Sequence, residues 1–317
     1  MKGKYLYGII NRYTSLNFDG LTTIAHQSLE AVVAEKEVKD YRQLPKAETV
    51  KELIRHQQII EKIMEQLPIL PVKFGTILKN EAEVTSVLEK NYFFLYNTLQ
   101  KVEDKIELDL VCFWNEQEAA QMAYQKSKKV RNLQEKITKK KNATVEDKMA
   151  MGKLVADYLA ERREKLKNQI LKALKKEAVE SCNHALADIN MLLNQAFLVK
   201  KERRAAFNNV LDQLDSRFSG LLNFRLVGPL PPYSFATLVI DSLDEKEVDR
   251  AKGALGLNGQ LSLKKLKKTY NKLAMKLHPD KGGTPLEFEP VAVAYKTLKN
   301  FIQNGLGAVS VYKWEER

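Results

Sequence analysis

Four histidines and two cysteines limit what this 317-residue chain can do by side-chain chemistry. His26, His56, His184 and His278 form no i, i+4 pair. Cys112 and Cys182 belong to no Cys-x-x-Cys pair, so no metal-ligand spacing is present. No Gly-x-Ser-x-Gly elbow, Walker loop or dinucleotide fingerprint occurs. Lys73-Phe-Gly-Thr-Ile77 holds one glycine and is no phosphate cradle. The carboxylates are scattered, and no catalytic pair can be named. One constellation is left, Leu277-His278-Pro279-Asp280-Lys281-Gly282-Gly283. Pro279 fixes its own φ, the glycines permit a tight turn, and His278 and Asp280 form a compact polar tip. Lys264, Lys265, Lys268 and Lys272 precede it. A cationic helix beside a polar tip suits recognition of an acidic protein surface, with an attraction that weakens as salt rises. The plainer reading is that His278 caps one helix and Asp280 the next turn.

The elements that must position this loop are legible on either side. Leu263 to Leu277 and Phe288 to Ile302 read as helices, and Glu245 to Leu255 as a shorter one, with Gly256 and Gly259 in the turn between. The tail from Gly305 to Arg317 is expected to be mobile. Upstream, Tyr5 to Ile10 reads as a buried strand, Thr14 to Gly20 as a loop, and Leu21 to Glu35 as a strand pair or a strand with a bend. Val50, Leu53, Ile54, Ile60, Ile63 and Met64 recur at helical spacing, so Glu48 to Gln66 is an amphipathic helix, ended by Pro68. Ile69 to Phe74 is a strand. Asn80 with Glu83 marks a helix start, and Val84, Val87, Leu88, Leu95 and Leu99 form its buried stripe. Ile106, Leu108, Leu110 and Cys112 alternate along another strand. From Asn115 to about Asp188 there is no proline and only Gly152, which predicts helix throughout, as two long helices parted near Asn142-Ala-Thr144. Ile189 to Val199 predicts a strand and Ala205 to Phe218 a helix. Leu221 to Phe235 runs strand, rigid turn, strand through Gly228-Pro229 and Pro231-Pro232, continuing to Ile240. The fold class is therefore α+β. Two α+β domains, residues 1–102 and 103–241, are followed by a small helical module in 242–317. The second domain carries the long helices.

The net charge is +12, with 44% hydrophobic and 29% charged residues, an ordinary globular balance that permits an acidic partner without choosing one. Lys126 to Lys141 holds eight basic residues and one acidic, usually a solvated helix face. No aromatic interleaves the run, which argues against stacking on single strands. The cysteines suggest no disulfide framework, in keeping with a reducing cytoplasm. No apolar run approaches the ~18 residues that span a bilayer, so no lipid membrane partner is expected.

The loop and its flanking helices resemble the J-domain of DnaJ-type co-chaperones. Tyr270, Leu273, Ala274 and Leu277 match the apolar face of its second helix. Lys264, Lys265, Lys268 and Lys272 match its basic face, and Phe288, Ala294, Tyr295 and Leu298 match its third helix. Arg250-Ala251 stands where an aromatic pair is usual. The resemblance implies docking on a DnaK-type chaperone through His278, Pro279 and Asp280. The body resembles the gas-vesicle protein F/L family (GvpF/GvpL) over about residues 4–240. The carriers are Tyr5-Leu-Tyr-Gly-Ile-Ile10, Leu70-Pro-Val-Lys-Phe-Gly-Thr76, Ala196-Phe-Leu-Val199 and Val227-Gly-Pro-Leu-Pro-Pro-Tyr-Ser-Phe235. Leu230 replaces the family's usual tryptophan, and Lys73 a common arginine. This resemblance implies no enzyme and no cofactor. It implies a structural or accessory role at the gas vesicle or in the cytoplasm, with the hydrophobic shell subunit and other vesicle accessory proteins as partners. Gly75, Gly228, Pro229, Pro231, Pro232, Tyr233 and Phe235 are read as structural signature residues. Two alternatives stay open: a co-chaperone whose body adapts an unrelated client, and a basic nucleic-acid binder resting on charge alone.

Overall fold

The computed structural model describes residues 2–12, 20–39, 41, 43–140, 142–240, 245–259, 261–304 and 309–311. The chain opens with β1 (Lys2–Asn11), β2 (Thr22–His26), β3 (Leu29–Glu37), α1 (Lys46–Met64), β4 (Ile69–Pro71), β5 (Ile77–Leu78), α2 (Glu81–Lys90) and α3 (Tyr92–Val102). β1 is central: β3 pairs antiparallel along one edge, and β4 and β5 share the other. β2 and β3 form a strand pair, the first of the two readings of this stretch, turning at Gln27. Asn80 caps α2 by accepting from the Glu83 amide, as its position suggested. The loop expected at Thr14–Gly20 lies outside the described residues except for Gly20.

Tyr5 and Tyr7 sit at an irregularity in the β1–β3 ladder, with their ring centroids 4.9 Å apart. Both rings meet His56 of α1, Tyr7 stacked on it and Tyr5 edge-on. The His56 Nε2–H donates to the Val72 carbonyl at 3.1 Å, since that oxygen can only accept. Nδ1 is then the acceptor and takes the Tyr5 hydroxyl at 2.9 Å. The Gly75 amide donates to the same Tyr5 oxygen at 3.3 Å. One buried knot therefore ties β1, α1 and the loop after β4. Gly75 has φ +84°, and a Cβ there would lie 3.1 Å from the Tyr41 ring, which accounts for glycine at this point.

The next stretch contains β6 (Lys105–Trp114), α4 (Glu116–Lys126), α5 (Lys128–Thr138), α6 (Val145–Leu174), β7 (Glu180–Asn183), β8 (Met191–Lys200), α7 (Arg204–Arg217), β9 (Leu222–Leu230) and the single turn α8 (Tyr233–Ala236). The strands form an antiparallel sheet in the order β7-β8-β6-β9. Ile106, Leu108, Leu110 and Cys112 pack against Leu166, Ile170 and Leu174 of α6 and Phe207 and Leu211 of α7. Burying each such large side chain contributes roughly 1.5–3 kcal/mol. The sequence expectation of two long helices needs correction. Ser127 interrupts the first: its hydroxyl accepts from the Val130 amide and starts α5 afresh. Thr144 and Asp147 form a full capping box at the start of α6. Helix also gives way before Asp188. Glu180–Asn183 is an edge strand, because β8 offers it an open ladder.

The chain ends with β10 (Leu238–Ile240), α9 (Glu245–Ala254), α10 (Leu263–Leu277), α11 (Pro285–Asn304) and β11 (Val309–Val311). Two expectations fail here. Phe235 belongs to α8, since the Phe235 and Ala236 amides both turn back onto the Pro232 carbonyl. Of the tail expected to be mobile, Val309–Val311 forms β11 and pairs antiparallel with β10, and its other residues lie outside the described ones. β10 in turn touches the first sheet: Leu238 bridges Val72, and its carbonyl accepts from the Lys73 amide at 2.9 Å. Two compact units result, one of Met1–Lys101 with Thr237–Tyr312 and one built on Val102–Ala236. Among the described residues no helix is long and apolar enough to cross a membrane.

Burial holds the His56 pKa down, to about 4, with Lys36 adding to the effect against the bond to Val72. The folded chain resists a proton that the unfolded chain takes up near pH 6.5, so this stability is present above pH 6.5 and drains away as pH falls through about 4. Urea unfolding of the first unit at pH 5 is expected to cost on the order of 2 kcal/mol relative to pH 7. His56→Phe is expected to lower stability at pH 7 but to flatten that slope; an unchanged slope would remove His56 as its source.

Candidate functional site

α10 and α11 pack through Leu266, Val291, Ala294 and Leu298, with Val248, Ala251 and Leu255 of α9 against them. Ser262 caps α10 through the Lys265 amide. Tyr270 stacks on Tyr295 with ring centroids 4.1 Å apart, which fixes the spacing of the two helices below the loop. At the loop the His278 amide closes α10 onto Ala274. The His278 carbonyl then accepts from both Lys281 (2.8 Å) and Gly283 (3.1 Å). Its ring packs edge-on to Phe288, 4.8 Å between centroids. Nδ1 accepts the Asp280 amide at 3.2 Å and also lies 3.6 Å from the Asp280 carboxylate. One nitrogen cannot accept from the first and donate to the second; the amide bond has the better distance. His278 thus caps the turn that follows it, the place the plainer reading gave to Asp280, while Pro279 and Asp280 remain exposed at the tip. Gly282 takes φ +95°, and at Gly283 a Cβ would lie 2.0 Å from the Leu277 carbonyl oxygen. Thr284 and Glu287 form a reciprocal cap that starts α11.

Lys264, Lys268 and Lys272 are spaced i, i+4, i+8 and stand exposed in one stripe of α10, which Lys276 extends. Lys265 is turned elsewhere: its ammonium donates to the Asn258 carbonyl at 3.0 Å and staples α10 to the preceding turn. Lys276 went unremarked in the sequence, although the four-residue spacing points to it. An exposed polar tip beside a cationic stripe is an arrangement suited to meeting an acidic surface.

The second candidate is the corner at 228–235. β9 is an edge strand, so Pro229 removes no ladder bond that the sheet needs. The Gly228-Pro229 peptide is cis, and Gly228 has φ +134° with the Glu107 carbonyl oxygen 2.8 Å from where a Cβ would stand. Pro231 and Pro232 are buried and lead into α8, which also holds Tyr233 and Phe235. Ser234 donates twice to Glu107: its amide to Oε2 at 2.8 Å and its hydroxyl to Oε1 at 2.7 Å. His184 Nε2 lies 3.0 Å from the same hydroxyl. Glu107 and Asp109 occupy the face of β6 opposite the core stripe. Burial pushes the Glu107 carboxyl up, to about 8, and the charge of Asp109 adds to this, against the two Ser234 bonds. Burial raises Asp109 too. A serine, a histidine and carboxylates meet here, yet the serine proton points to Glu107 and the site is closed, with Glu107 1% exposed. The cluster clamps the corner. Reading the carboxylates as scattered missed it; the alternation that put Ile106, Leu108 and Leu110 in the core places Glu107 and Asp109 together behind them. Gly75 belongs to the separate knot around Tyr5.

Comparison with known proteins agrees with both parts. A family model described as "Gas vesicle synthesis protein GvpL/GvpF" matches residues 3–237, and a DnaJ domain model matches residues 253–302. Gas vesicle protein F of Nostoc sp. is 28% identical over 192 residues, 59% of this chain and 77% of the relative. Gas vesicle protein F1 of Halobacterium salinarum is 21% identical over 246 residues, 74% of this chain and 93% of the relative. A DnaJ protein homolog of Cucumis sativus is 48% identical over 46 residues, 14% of this chain and 11% of that protein. The crystal structure of GvpF from Anabaena sp. superposes with a TM-score of 0.63 at 23% identity, covering 75% of this chain and 99% of that one. GvpF from Microcystis aeruginosa gives 0.57 at 22% identity, covering 74% and 99%. These superpositions establish the fold of the body.

Two measurements test the site geometry. Gly283→Ala must push the loop off the Leu277 carbonyl and is expected to cost about 1–3 kcal/mol, seen as faster amide exchange across α10 and α11. Wild-type exchange in that variant would contradict the packing. For Glu107, the folded pKa lies above the unfolded value near 4.5, so its share of stability is full below that pH and is lost as pH rises through about 8. The second unit is expected to lose on the order of a few kcal/mol between pH 5 and pH 9. Glu107→Gln should flatten the loss, and a slope as steep as wild type would show that other groups carry it.

Proposed function

The chain belongs to the gas vesicle synthesis protein GvpL/GvpF family and carries a DnaJ domain beyond the family match, and from that premise we propose that it takes part in gas vesicle assembly by holding the hydrophobic shell subunit while its J-module brings a DnaK-type chaperone to the same place. The observation that carries the second half is the union, in one module, of a self-capped His278-Pro279-Asp280 tip and the Lys264, Lys268, Lys272 stripe. The tip is rigid before any partner arrives, so little ordering entropy is lost on docking. The lysines attract an acidic ATPase surface over a distance set by ionic strength. The first half rests on the family itself, which is one of structural rather than enzymatic proteins, and on a body whose buried polar groups serve to clamp the fold. An accessory role therefore fits the body better than catalysis, and its site of action is the forming vesicle or the cytoplasm around it. Other vesicle accessory proteins are natural further partners of such a body.

With the purified full chain, stimulation of DnaK ATP hydrolysis is expected, falling at least tenfold in His278→Gln and weakening from 50 to 300 mM salt. Lys268→Glu/Lys272→Glu should lower affinity without changing the helical content. No stimulation by the wild-type chain would remove the chaperone from the scheme. Independently, the shell subunit should co-purify with the full chain and stay in solution longer in its presence; failure of both would remove the client.

A further inference from the structure

A strand at the end of a sheet offers its unpaired backbone to any neighbour, and most edges in this chain are guarded against that. β9 carries Pro229, and β7 is four residues long and opens on Glu180. β4 ends on Pro71, and the next residue, Val72, is bridged to Leu238. β2 has no such guard. Thr22-Thr-Ile-Ala-His26 stands at the end of the first sheet and contains no Asp, Glu, Lys, Arg or Pro. Thr22, Thr23 and Ala25 are exposed.

The ladder fixes which backbone groups point outward. The Arg12 amide donates to the Ser28 carbonyl, so Ser28 and, by alternation, Glu30 and Val32 turn their backbone groups toward β1. Leu29, Ala31 and Val33 are left for β2, where they stand opposite His26, Ile24 and Thr22. Thr23 and Ala25 therefore turn both N–H and C=O away from the sheet, and neither has a backbone partner among the described residues. Beside this edge lies an aromatic patch. His26 packs edge-on to Tyr92 at the start of α3, and Tyr92 in turn meets Phe93. Phe93 is 79% exposed and Phe94 40%. Ser28 Oγ and the Tyr92 hydroxyl lie 2.6 Å apart, which fixes the start of α3 to the β2–β3 turn and holds these rings at the end of the strand.

We propose that β2 pairs antiparallel with β2 of a second copy of this chain, with Phe93 closing over the joint. The edge is complementary to itself. A two-fold axis through Ile24 sets Thr23 opposite Ala25 of the second copy, where each donates to and accepts from the other. No like charges meet, because the strand carries none. Thr22 then lies opposite His26 of the second copy, which brings that copy's Phe93 beside it. A short strand pair with one aromatic anchor from each copy is a small interface, so the dimer is reversible, with a dissociation constant in the micromolar range. The pairing is independent of the assembly role proposed above; where both hold, each dimer carries a pair of J-modules.

Sedimentation velocity of the full chain from about 1 to about 100 µM is the test, and a monomer–dimer equilibrium is expected within that range. A wild-type chain that stays monomeric throughout overturns the proposal. Thr23→Lys/Ala25→Lys sets lysine opposite lysine across the joint and is expected to weaken the dimer by about tenfold or more. Thr23→Lys/Ala25→Glu sets lysine opposite glutamate in the same register and is expected to retain it. Phe93→Ser is expected to weaken it by about tenfold. All these positions are exposed, so the thermal midpoint and helical signal should stay those of wild type. Wild-type dimerisation by the lysine–lysine variant, or a lysine–glutamate variant as weak as it, contradicts the pairing and leaves the assembly role standing.

Discussion

The two hydrogen bonds from Ser234 to the buried Glu107 are the constraint on which the later course of the chain depends. They hold the corner after β9 against the middle strand of the second sheet, and only then does the chain leave as β10 for the first unit. A carboxyl placed there is costly unless bonded or neutral, and both remedies are present: two donors from one residue, and a proton retained well above the usual carboxylate range. Gly228 is required by the same closeness, because any side chain would meet the Glu107 carbonyl. The signature run from Val227 to Phe235 is thus legible as one device, in which glycine and the prolines set the path and the serine fastens it. A comparable knot around His56 does this for the first sheet, where it fixes α1 and the Gly75 loop to β1.

Much of this could be read from residues alone, and the failures are instructive. Strands with clean alternation, such as Ile106 to Trp114, emerge where expected because local pattern and tertiary burial agree; the helix begun by Asn80 starts where expected but ends at Lys90, and Leu95 and Leu99 belong to the separate α3. The 115–188 region was harder. Absence of proline favours helix throughout, but Ser127 restarts a helix with its own hydroxyl, and Glu180–Asn183 becomes strand because a neighbour's ladder is open. The serine cap spans three residues and is a local signal; only the strand depends on a distant neighbour. The J-module helices were plain, since one tight loop and one apolar face define them. Glu107, Asp109, His184 and Ser234 come from three distant segments, and their meeting is set by sheet register, which single-sequence patterns do not carry. α1 shows the reverse case: its periodicity foretold a helix correctly but overstated how much of it is buried.

The arrangement makes physical sense of a chain that joins a vesicle protein body to a co-chaperone module. The module is not hung on a single linker. β10 precedes it, β11 follows it, and the two pair with each other, with β10 bridged to the loop after β4. Its polar tip is preformed and its lysines are aligned, so recognition there needs no refolding. Under the proposed function, a DnaJ domain on the same chain as the vesicle-protein body would bring a chaperone to whatever that body holds, at the high effective concentration that a covalent link provides.

The central claim is that this chain serves the building of vesicles. It is tested most directly by whole-cell turbidity that collapses under applied pressure, measured in the native host lacking the chain and after its return on a plasmid. The account predicts that pressure-sensitive turbidity is lost or greatly reduced without the chain and restored with it. Undiminished pressure-sensitive turbidity in its absence would contradict the account.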